Sequence, residues 1–274
     1  MAGKLYVVGT PIGNLEDFSP RAIRILSEVD FIAAEDTRVT LKLLNHFEIK
    51  KPLISYFEHN KFEPGGVILA RLIAGETAAI VTDAGMPAIS DPGEDLVREC
   101  LAAGIAVESV PGPVAFATAL SVSGMPSRRF CFEGFLSVDK KERRTHLDEI
   151  KNERRTMIFY EAPHKLCRTL DDLYSVLGDR RIAVCRELTK LHEQVISGTL
   201  SDAIEYFKVN APRGEFVLII EGRAPDVEKI YTLDEAVTLA KRLQIAGESA
   251  SSAARQAAEL TGIKKGEIYI NMVE

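Results

Sequence analysis

Cysteine is scarce in this sequence of 274 residues, and its copies lie far apart. The four cysteines at 100, 131, 167 and 185 form no C-x-x-C pair, which excludes a zinc knuckle and a dithiol redox motif of the usual spacing. Scattered cysteines in a chain of this size are typical of a reducing compartment. No other group of side chains has metal-ligand spacing, so we expect no bound metal.

Long apolar segments are also missing. No run approaches the roughly 20 residues of a membrane-spanning helix, and the apolar run Leu5–Val8 is too short for the core of a secretion signal. The net charge of −6 argues against a generic nucleic-acid-binding protein but allows local basic patches. We therefore expect a soluble cytoplasmic protein with no membrane partner.

What is present is a globular composition, with 46% apolar and 27% charged residues. Short apolar runs alternate with helical patterns through the first 110 residues, and Ser19-Pro20 is typical of a helix start. This alternation predicts a parallel sheet with helices on both faces. The predicted strands are Leu5–Val8, Phe31–Ala34, Leu53–Tyr56, Ala78–Val81 and Ala106–Val110.

The composition changes near residue 114, where a small apolar helix precedes a second series of strands. After Pro225 only helical patterns remain, and Lys264-Lys265 near the end fit either a helix-turn-helix contact to nucleic acid or a small capping bundle. We predict an α/β protein with domains at 1–116 and 117–225, a ligand cleft between them and a helical tail at 226–274. The strands of the second series are Phe130–Phe135, Met157–Tyr160, Ile182–Cys185, Val195–Leu200 and Gly214–Gly222.

The loop after the first strand partly matches a dinucleotide-binding motif. Gly9 and Gly13 precede an acidic residue, Asp36, at about the expected interval of roughly 20 residues. The third glycine of the motif is missing, however, and Pro11 removes a backbone N–H donor where pyrophosphate would need one. A nicotinamide-dependent oxidoreductase is therefore a weaker alternative.

The most informative stretch runs from Thr82 to Gly93, directly after a predicted buried strand. Its two aspartates, two glycines and two prolines predict a shaped loop at the carboxyl end of the strand, where open α/β sheets bind ligands. Gly85 and Gly93 would let backbone approach a ligand closely. The alternative is an ordinary strand-to-helix turn, with Asp91-Pro92 starting the next helix.

Basic residues are concentrated between residues 128 and 155, beginning with Arg128-Arg129 and Lys140-Lys141. Interleaved acidic residues make a solvated amphipathic helix the usual explanation. A locally positive surface in an acidic protein would also suit contacts to phosphates.

Six motifs in order resemble the small-subunit ribosomal RNA methyltransferase I family. They are GTPIGNL at 9–15, AEDTR at 34–38, TDAGMPAISDPG at 82–93, PGP at 111–113, FYEAPH at 159–164 and RELTK at 186–190. This family of cytidine 2′-O-methyltransferases belongs to the tetrapyrrole methylase superfamily. The resemblance implies two α/β domains, S-adenosylmethionine in the cleft between them, 16S ribosomal RNA of the small subunit as substrate, and a homodimer.

The resemblance also implies which residues hold the cofactor. The proline of the first loop is Pro11, and the Gly-Asp-Pro loop of the superfamily corresponds to residues 82–84, although its Gly and Pro are absent here. Strand ends of the second domain supply further positions. The expected contacts are Pro11, Thr82, Asp83, Ala84, Gly85, Met86, Val114, Ala115, Tyr160, Leu188 and Gly214.

Methyl transfer to a ribose hydroxyl benefits from a base that takes the hydroxyl proton. A lysine with a pKa lowered by burial or by a neighbouring cation could act so, and an arginine could hold a phosphate. The alternative for each charged residue is a structural ion pair or cap. The catalytic candidates, at predicted strand ends of the second domain, are Lys190, Glu187, Arg186, Glu161 and His164.

Three other functions compete with ribosomal RNA methylation. The same fold could methylate a tetrapyrrole precursor, although the basic cluster and the tail favour RNA. The other two are the nicotinamide oxidoreductase and a non-catalytic RNA-binding assembly factor.

Overall fold

The computed structural model describes residues 3–57, 62–225 and 231–273. The described residues up to Arg223 form one compact unit, and those from Ala224 onward form a second. Within these described ranges, no helix has the length and apolar character needed to cross a membrane.

Five parallel strands form the first sheet, as the sequence predicted. They are β1 (Lys4–Val8), β2 (Phe31–Ala34), β3 (Leu53–Ser55), β4 (Thr77–Val81) and β5 (Ala106–Val110). Their order in the sheet is β3-β2-β4-β1-β5. All four residues of β2 are buried, because each face of the sheet packs against its own apolar cluster.

The helices of this half are α1 (Pro20–Glu28), α2 (Thr37–His46), α3 (Phe62–Ile73), α4 (Glu94–Ala102) and α5 (Ala115–Val122). Ser19 caps α1 by accepting a hydrogen bond from the N–H of Ala22 at 3.1 Å, which confirms the predicted helix start. Helix α2 was not predicted; Asp36, assigned to a strand-end motif, caps it by accepting from the N–H of Arg38 at 2.8 Å.

The second sheet is mixed. It contains β6 (Phe130–Phe135), β7 (Thr156–Glu161), β8 (Arg181–Arg186), β9 (Gln194–Thr199) and β10 (Phe216–Ile220) in the order β6-β7-β10-β8-β9. Only β6 and β7 are parallel neighbours. The carboxyl ends of β6, β7 and β8 therefore lie at one edge, together with the amino ends of β9 and β10.

Helices cover both faces of this sheet. The helices α6 (Lys140–Ile150), α7 (Leu166–Leu177) and α8 (Leu200–Val209) pack on one face, and α5 of the first half packs on the other. The amphipathic helix α7 was not predicted. The confirmed fold is thus two α/β halves that share a core through α5.

The basic cluster between residues 128 and 155 does not form one surface. Arg128 and Arg129 precede β6, whereas Lys140 and Lys141 follow it and lie at the opposite edge of the sheet. Arg143 is buried. Only part of the cluster is therefore available to bind phosphates near the carboxyl ends of the strands.

The tail is helical, as predicted, with α9 (Leu233–Ile245), α10 (Ala250–Thr261) and α11 (Lys265–Val273). Thr232 and Glu235 form a reciprocal capping box at the start of α9. Small residues let the three helices approach closely around a core of their own, made by Ala236, Ala240, Ala253, Ala254, Ala257 and Ile268.

Candidate functional site

A cavity of about 410 Å³ lies where the carboxyl edge of the first sheet faces the second sheet. Loops after β1, β2, β4 and β5 supply one wall, and the ends of β6 and β7, the loop after β8 and the start of β10 supply the other. A cavity of this size suits a small-molecule ligand. Of the expected cofactor contacts, the lining includes Thr82, Asp83, Ala84, Gly85, Met86, Val114, Ala115, Tyr160 and Leu188.

Backbone pairing holds the first wall together. The N–H of Thr10 donates to the carbonyl of Gly85 at 2.9 Å, and the N–H of Gly85 donates to the carbonyl of Thr10 at 3.2 Å. The Thr10 hydroxyl also donates to the carbonyl of Thr82 at 3.1 Å. This pairing positions Ile12, the lining residue of the first loop, while the expected Pro11 is not part of the lining.

The loop from Thr82 to Gly93 has an unusual backbone. Ala88 and Ser90 both have positive φ, at +66° and +63°, a conformation that costs non-glycine residues of order 1–3 kcal/mol and is concentrated at functional sites. Gly85 lines the cavity, as expected. Gly93 does not: its α-carbon faces Ile80 and Ala88 of the protein, and a Cβ there would lie 3.1 Å from Cδ1 of Ile80.

Three carboxylates line this wall: Glu35, Asp83 and Asp91. Glu35 accepts a hydrogen bond from the Thr82 hydroxyl at 2.5 Å and one from the N–H of Asp83 at 3.3 Å. Burial, reinforced by the charges of Glu35 and Asp83, raises the pKa of Asp91 to about 7. Burial and the charge of Glu35 also raise the pKa of Asp83. The wall therefore concentrates three carboxyl groups, an arrangement that favours a bound cation or a proton.

Tyr160 joins the two walls. Its hydroxyl accepts a hydrogen bond from the N–H of Phe116, in the first turn of α5, at 3.1 Å. Its ring makes edge contacts with Phe132 and Phe135, with centroids 4.9 and 5.5 Å away. Burial raises the pKa of Tyr160, so this residue is a neutral spacer that fixes the width of the cavity.

The loop after β8 carries Lys190 and Glu187, which the structure brings together at the rim. The Lys190 ammonium donates to Oε1 of Glu187 at 3.1 Å and to Oε2 of Glu215 at 3.2 Å. Burial alone would lower the pKa of Lys190, but these two hydrogen bonds outweigh it and raise the pKa above its ordinary value. The hypothesis of a lysine base expected a lowered pKa, and these surroundings act in the opposite direction; a catalytic role of Lys190 stays a prediction.

Glu187 also has structural partners in this loop. Burial would raise its pKa, but the hydrogen bond from Lys190 and the N–H of Glu215 lower it. Gly214 is not in the cavity lining; it makes room for this carboxylate, since a Cβ at 214 would lie 2.3 Å from Oε1 of Glu187. The backbones of Glu187 and Thr189 have positive φ, at +50° and +66°, so this loop is strained like the one opposite.

The strained loop after β8 meets the first half of the protein at Gly13. A Cβ at Gly13 would lie 2.5 Å from Cγ of Lys190 and 2.8 Å from Oγ1 of Thr189. The loop after β1, which contains Gly13, therefore packs directly on the loop after β8. This packing also presents Leu188 to the cavity.

The remaining catalytic candidates have three different environments. Glu161 lines the cavity but is 3% exposed, and it accepts hydrogen bonds from the Thr169 hydroxyl at 2.5 Å and the N–H of Ala162 at 2.8 Å. Nε of Arg186 is buried and has no hydrogen-bond partner among the described residues. His164 is exposed and lies outside the lining.

Sequence reasoning missed part of the lining. Ile12, Phe135 and Val217 were overlooked because apolar residues at strand ends look like ordinary core. The sequence analysis places Glu35 in a motif without a role, and it gives Asp91 a role only in the alternative of an ordinary turn, as the start of the next helix. The signal for Asp91 was its position in the same loop as Asp83.

The family model described as Tetrapyrrole (Corrin/Porphyrin) Methylases matches residues 4–204. The chain belongs to this tetrapyrrole methylase family. The matched range contains the first wall of the cavity and the loop after β8. Methyl transfer is accordingly the chemistry of the fold that carries this site.

Relatives with a known name are similar to this chain over most of its length. A protein of Halalkalibacterium halodurans named ribosomal RNA small subunit methyltransferase I is 48% identical over 97% of this chain and 93% of its own length. A protein of Thermotoga maritima with the same name is 49% identical, over 81% of this chain and 99% of its own length. Among tetrapyrrole methylases of known structure, a uroporphyrin-III C-methyltransferase of Thermus thermophilus complexed with S-adenosylhomocysteine matches 79% of this chain and 97% of its own. Its TM-score is 0.56 and its sequence identity 18%, which supports the fold alone.

Proposed function

We propose that this protein transfers a methyl group from S-adenosylmethionine to the ribose 2′-oxygen of a cytidine in 16S ribosomal RNA of the small subunit. The observation that carries the proposal is the identity of 48% over nearly the whole chain with a relative named for that substrate class. The expected homodimer and cytoplasmic location belong to the same proposal.

The size and lining of the cavity support S-adenosylmethionine as its ligand. Its volume of about 410 Å³ lies within the range of roughly 300–1,000 Å³ for small-molecule sites. Ile12, Met86 and Val114 offer apolar surface. The carboxyl groups of Glu35, Asp83 and Asp91 would attract the positive charges of a ligand. The cofactor carries a sulfonium and an ammonium group, and the fold neighbour bound to S-adenosylhomocysteine is consistent with this ligand.

When bound, the cofactor supplies a methyl group on a positively charged sulfur. The residues of the chain then have to hold the acceptor ribose in line, at roughly 3–3.5 Å. The paired backbones of Thr10 and Gly85 fix the cofactor wall. The loop braced by Lys190, Glu187 and Glu215 presents Leu188 from the opposite side.

The sequence-based candidates take different roles within this proposal. Lys190 and Glu187 are positioning residues, because each is bound to the other and neither pKa has moved toward neutrality. His164 is exposed and available to bind an RNA phosphate, and Glu161 is a buried residue of the lining. Phosphate binding by Arg186 stays a prediction, because its Nε is buried. Asp91 is the group best suited to take the 2′-hydroxyl proton, because it lines the cavity with a pKa of about 7.

The test is transfer of labelled methyl from S-adenosylmethionine to assembled small subunits, naked 16S RNA and tetrapyrrole precursors offered in parallel. Label in RNA that survives alkaline hydrolysis as a 2′-O-methyl dinucleotide supports the proposal. Label on a base or a tetrapyrrole overturns it. Stabilisation of the fold by NAD(H), and not by S-adenosylmethionine, would instead favour the oxidoreductase alternative.

A further inference from the structure

In the paired stretch, β6 contributes one more residue than its partner β7, which is the mark of a β-bulge. Phe132 pairs with Ile158, but the next pair is Gly134 with Phe159, so Glu133 has no counterpart. Gly134 has a φ of +65°, which glycine adopts without strain. Such bulges are rare between parallel strands and are enriched beside active sites, where they redirect a side chain.

The bulge redirects Phe135. In a regular strand Phe135 would share a face with Cys131 and Glu133, because side chains alternate. The extra residue instead pairs Phe135 with Tyr160. The Phe135 ring then contacts the same Tyr160 ring that Phe132 contacts, on the cavity side of the sheet.

The extra residue is anchored on the other face. An oxygen of the Glu133 carboxylate lies 3.0 Å from Nε2 of His146, in α6. Both groups are largely buried, with exposed side-chain fractions of 19% and 24%. This contact holds the bulge in one register and therefore fixes the orientation of Phe135.

Phe135 is 53% exposed although it lines the cavity. A few residues further along the chain, at the same end of the sheet, α6 begins with the exposed side chains of Lys140 and Lys141. In the described part of the chain, neither ammonium forms an ion pair. The segment that follows β6 thus combines an exposed aromatic ring of the cavity lining with two lysines at the start of α6.

We infer that Phe135 is a stacking platform for an unpaired RNA base next to the methylated nucleotide, with Lys140 and Lys141 binding the adjoining phosphates. This inference rests on the proposed function for its substrate class. Proteins that bind single-stranded RNA combine exposed aromatic rings with cationic grooves in this way. A ligand enclosed in the cavity would instead bury the ring that holds it.

The experiment uses Phe135→Trp as a reporter, since the chain contains no tryptophan. A single-stranded oligocytidine of about 12 nucleotides, within the usual range of binding-site sizes, is titrated while tryptophan fluorescence is recorded. We expect quenching by the RNA and little change with S-adenosylmethionine alone. The matched control is Phe130→Trp, at the opposite end of β6, which should not respond.

The second arm measures methyl transfer and cofactor affinity. Phe135→Ala should lower kcat/KM for small subunits by about 10- to 100-fold, the usual effect of losing one stacked base. S-adenosylmethionine affinity should change much less, because Phe135 is one of several apolar side chains of the lining. Phe135→Tyr should retain most of the activity. A third arm compares K140Q/K141Q with R128Q/R129Q: only the first pair should weaken RNA binding and its salt dependence.

The outcomes separate this inference from the proposed function. Quenching by RNA without methyl transfer to RNA supports the platform and overturns the proposed function. Transfer to RNA without quenching, or quenching by S-adenosylmethionine alone, overturns the platform and leaves the proposed function in place. Dissociation of a dimer by Phe135→Ala, seen by sedimentation, would make Phe135 a subunit contact and also overturn the inference.

Discussion

Thr10 and Gly85 are joined by reciprocal backbone hydrogen bonds of 2.9 and 3.2 Å across two loops of the cavity wall. Gly85 can take part because it has a φ of +96°. A Cβ at this position would meet Cγ2 of Ile12 at 3.6 Å, which is an ordinary contact. The requirement for glycine is therefore one of backbone conformation, and the paired backbones tie this wall of the cavity to the loop after the first strand.

Gly85→Ala should lower both stability and cofactor affinity. The positive φ costs a non-glycine residue roughly 1–2 kcal/mol, and relief of that strain would disturb the pairing with Thr10. Calorimetry with S-adenosylmethionine and urea unfolding measure the two effects. Gly104→Ala is the matched control, with a φ of +71° and open space around it; equal loss of affinity in both variants would contradict the prediction.

Arg143→Met should be strongly destabilising, whereas Arg144→Met should not. Arg143 is 5% exposed; it donates to Asp172 at 2.7 Å and to the hydroxyl of Thr169, which in turn donates to Glu161. Removing one partner of a buried ion pair costs about 3–5 kcal/mol. Because Asp172 is 35% exposed and also lies 3.8 Å from Arg168, we expect a cost at or below the lower end of that range. Arg144 is 86% exposed and lies 3.9 Å from Asp148, so its loss should change stability by less than about 0.5 kcal/mol.

Urea unfolding of both variants, followed by circular dichroism, measures the difference. Similar midpoints for Arg143→Met and Arg144→Met would show that the buried network around Glu161 does not stabilise the fold. Glu161 would then become a candidate for direct chemistry.

The strand content was predictable because apolar runs are bounded by Gly, Pro and acidic loops. The order of the second sheet was not, since local patterns do not encode which strands pair or in which direction. Only part of the cavity lining was predictable. Asp83 and Gly85 stand in a loop rich in Asp, Gly and Pro, which marks them in the sequence. Phe135 reaches the site only through the extra residue at Glu133. The roles of Lys190 and Glu187 depend on Glu215, which is distant in sequence.

The pKa of Asp91, raised to about 7, predicts how stability depends on pH. An unfolded aspartate has a pKa near 3.9, so between roughly pH 4 and pH 7 the folded state binds the extra proton. Stability should therefore be greatest at the acidic end of this window and fall as pH rises through about 7. The pKa of Asp83, which burial and the charge of Glu35 also raise, adds a contribution of the same sign to this slope.

Asp91→Asn should flatten this decline in melting temperature, whereas the exposed Asp148→Asn should leave it as in the parent protein. If Asp91 also takes the hydroxyl proton, Asp91→Asn should lower the single-turnover rate by about 10²- to 10⁴-fold. Cofactor affinity should change far less. A normal rate in this variant would remove Asp91 as the base.

Lys190 offers a direct test of positioning against base catalysis. Lys190→Arg keeps a cation between Glu187 and Glu215 but has no accessible neutral form, so a positioning role predicts that it retains most of the rate. Lys190→Met should lower both the melting temperature and the rate. If Lys190→Arg loses as much activity as Lys190→Met while remaining as stable as the parent, Lys190 is the base and the positioning role is wrong.

The last prediction concerns the helical tail. It forms a compact unit with a core of its own, built around residues such as Ala240 and Ala254. The Thermotoga maritima relative is 99% covered by an alignment that spans 81% of this chain, so a protein of that name exists without about a fifth of the present length.

We therefore expect the protein truncated after Pro225 to fold and to bind S-adenosylmethionine with unchanged affinity. Its kcat/KM for small subunits should fall if the tail docks on RNA, and K264Q/K265Q in the full chain should reproduce part of that fall. Unchanged methylation by both variants would show that the tail does not contact the substrate and would favour the capping bundle.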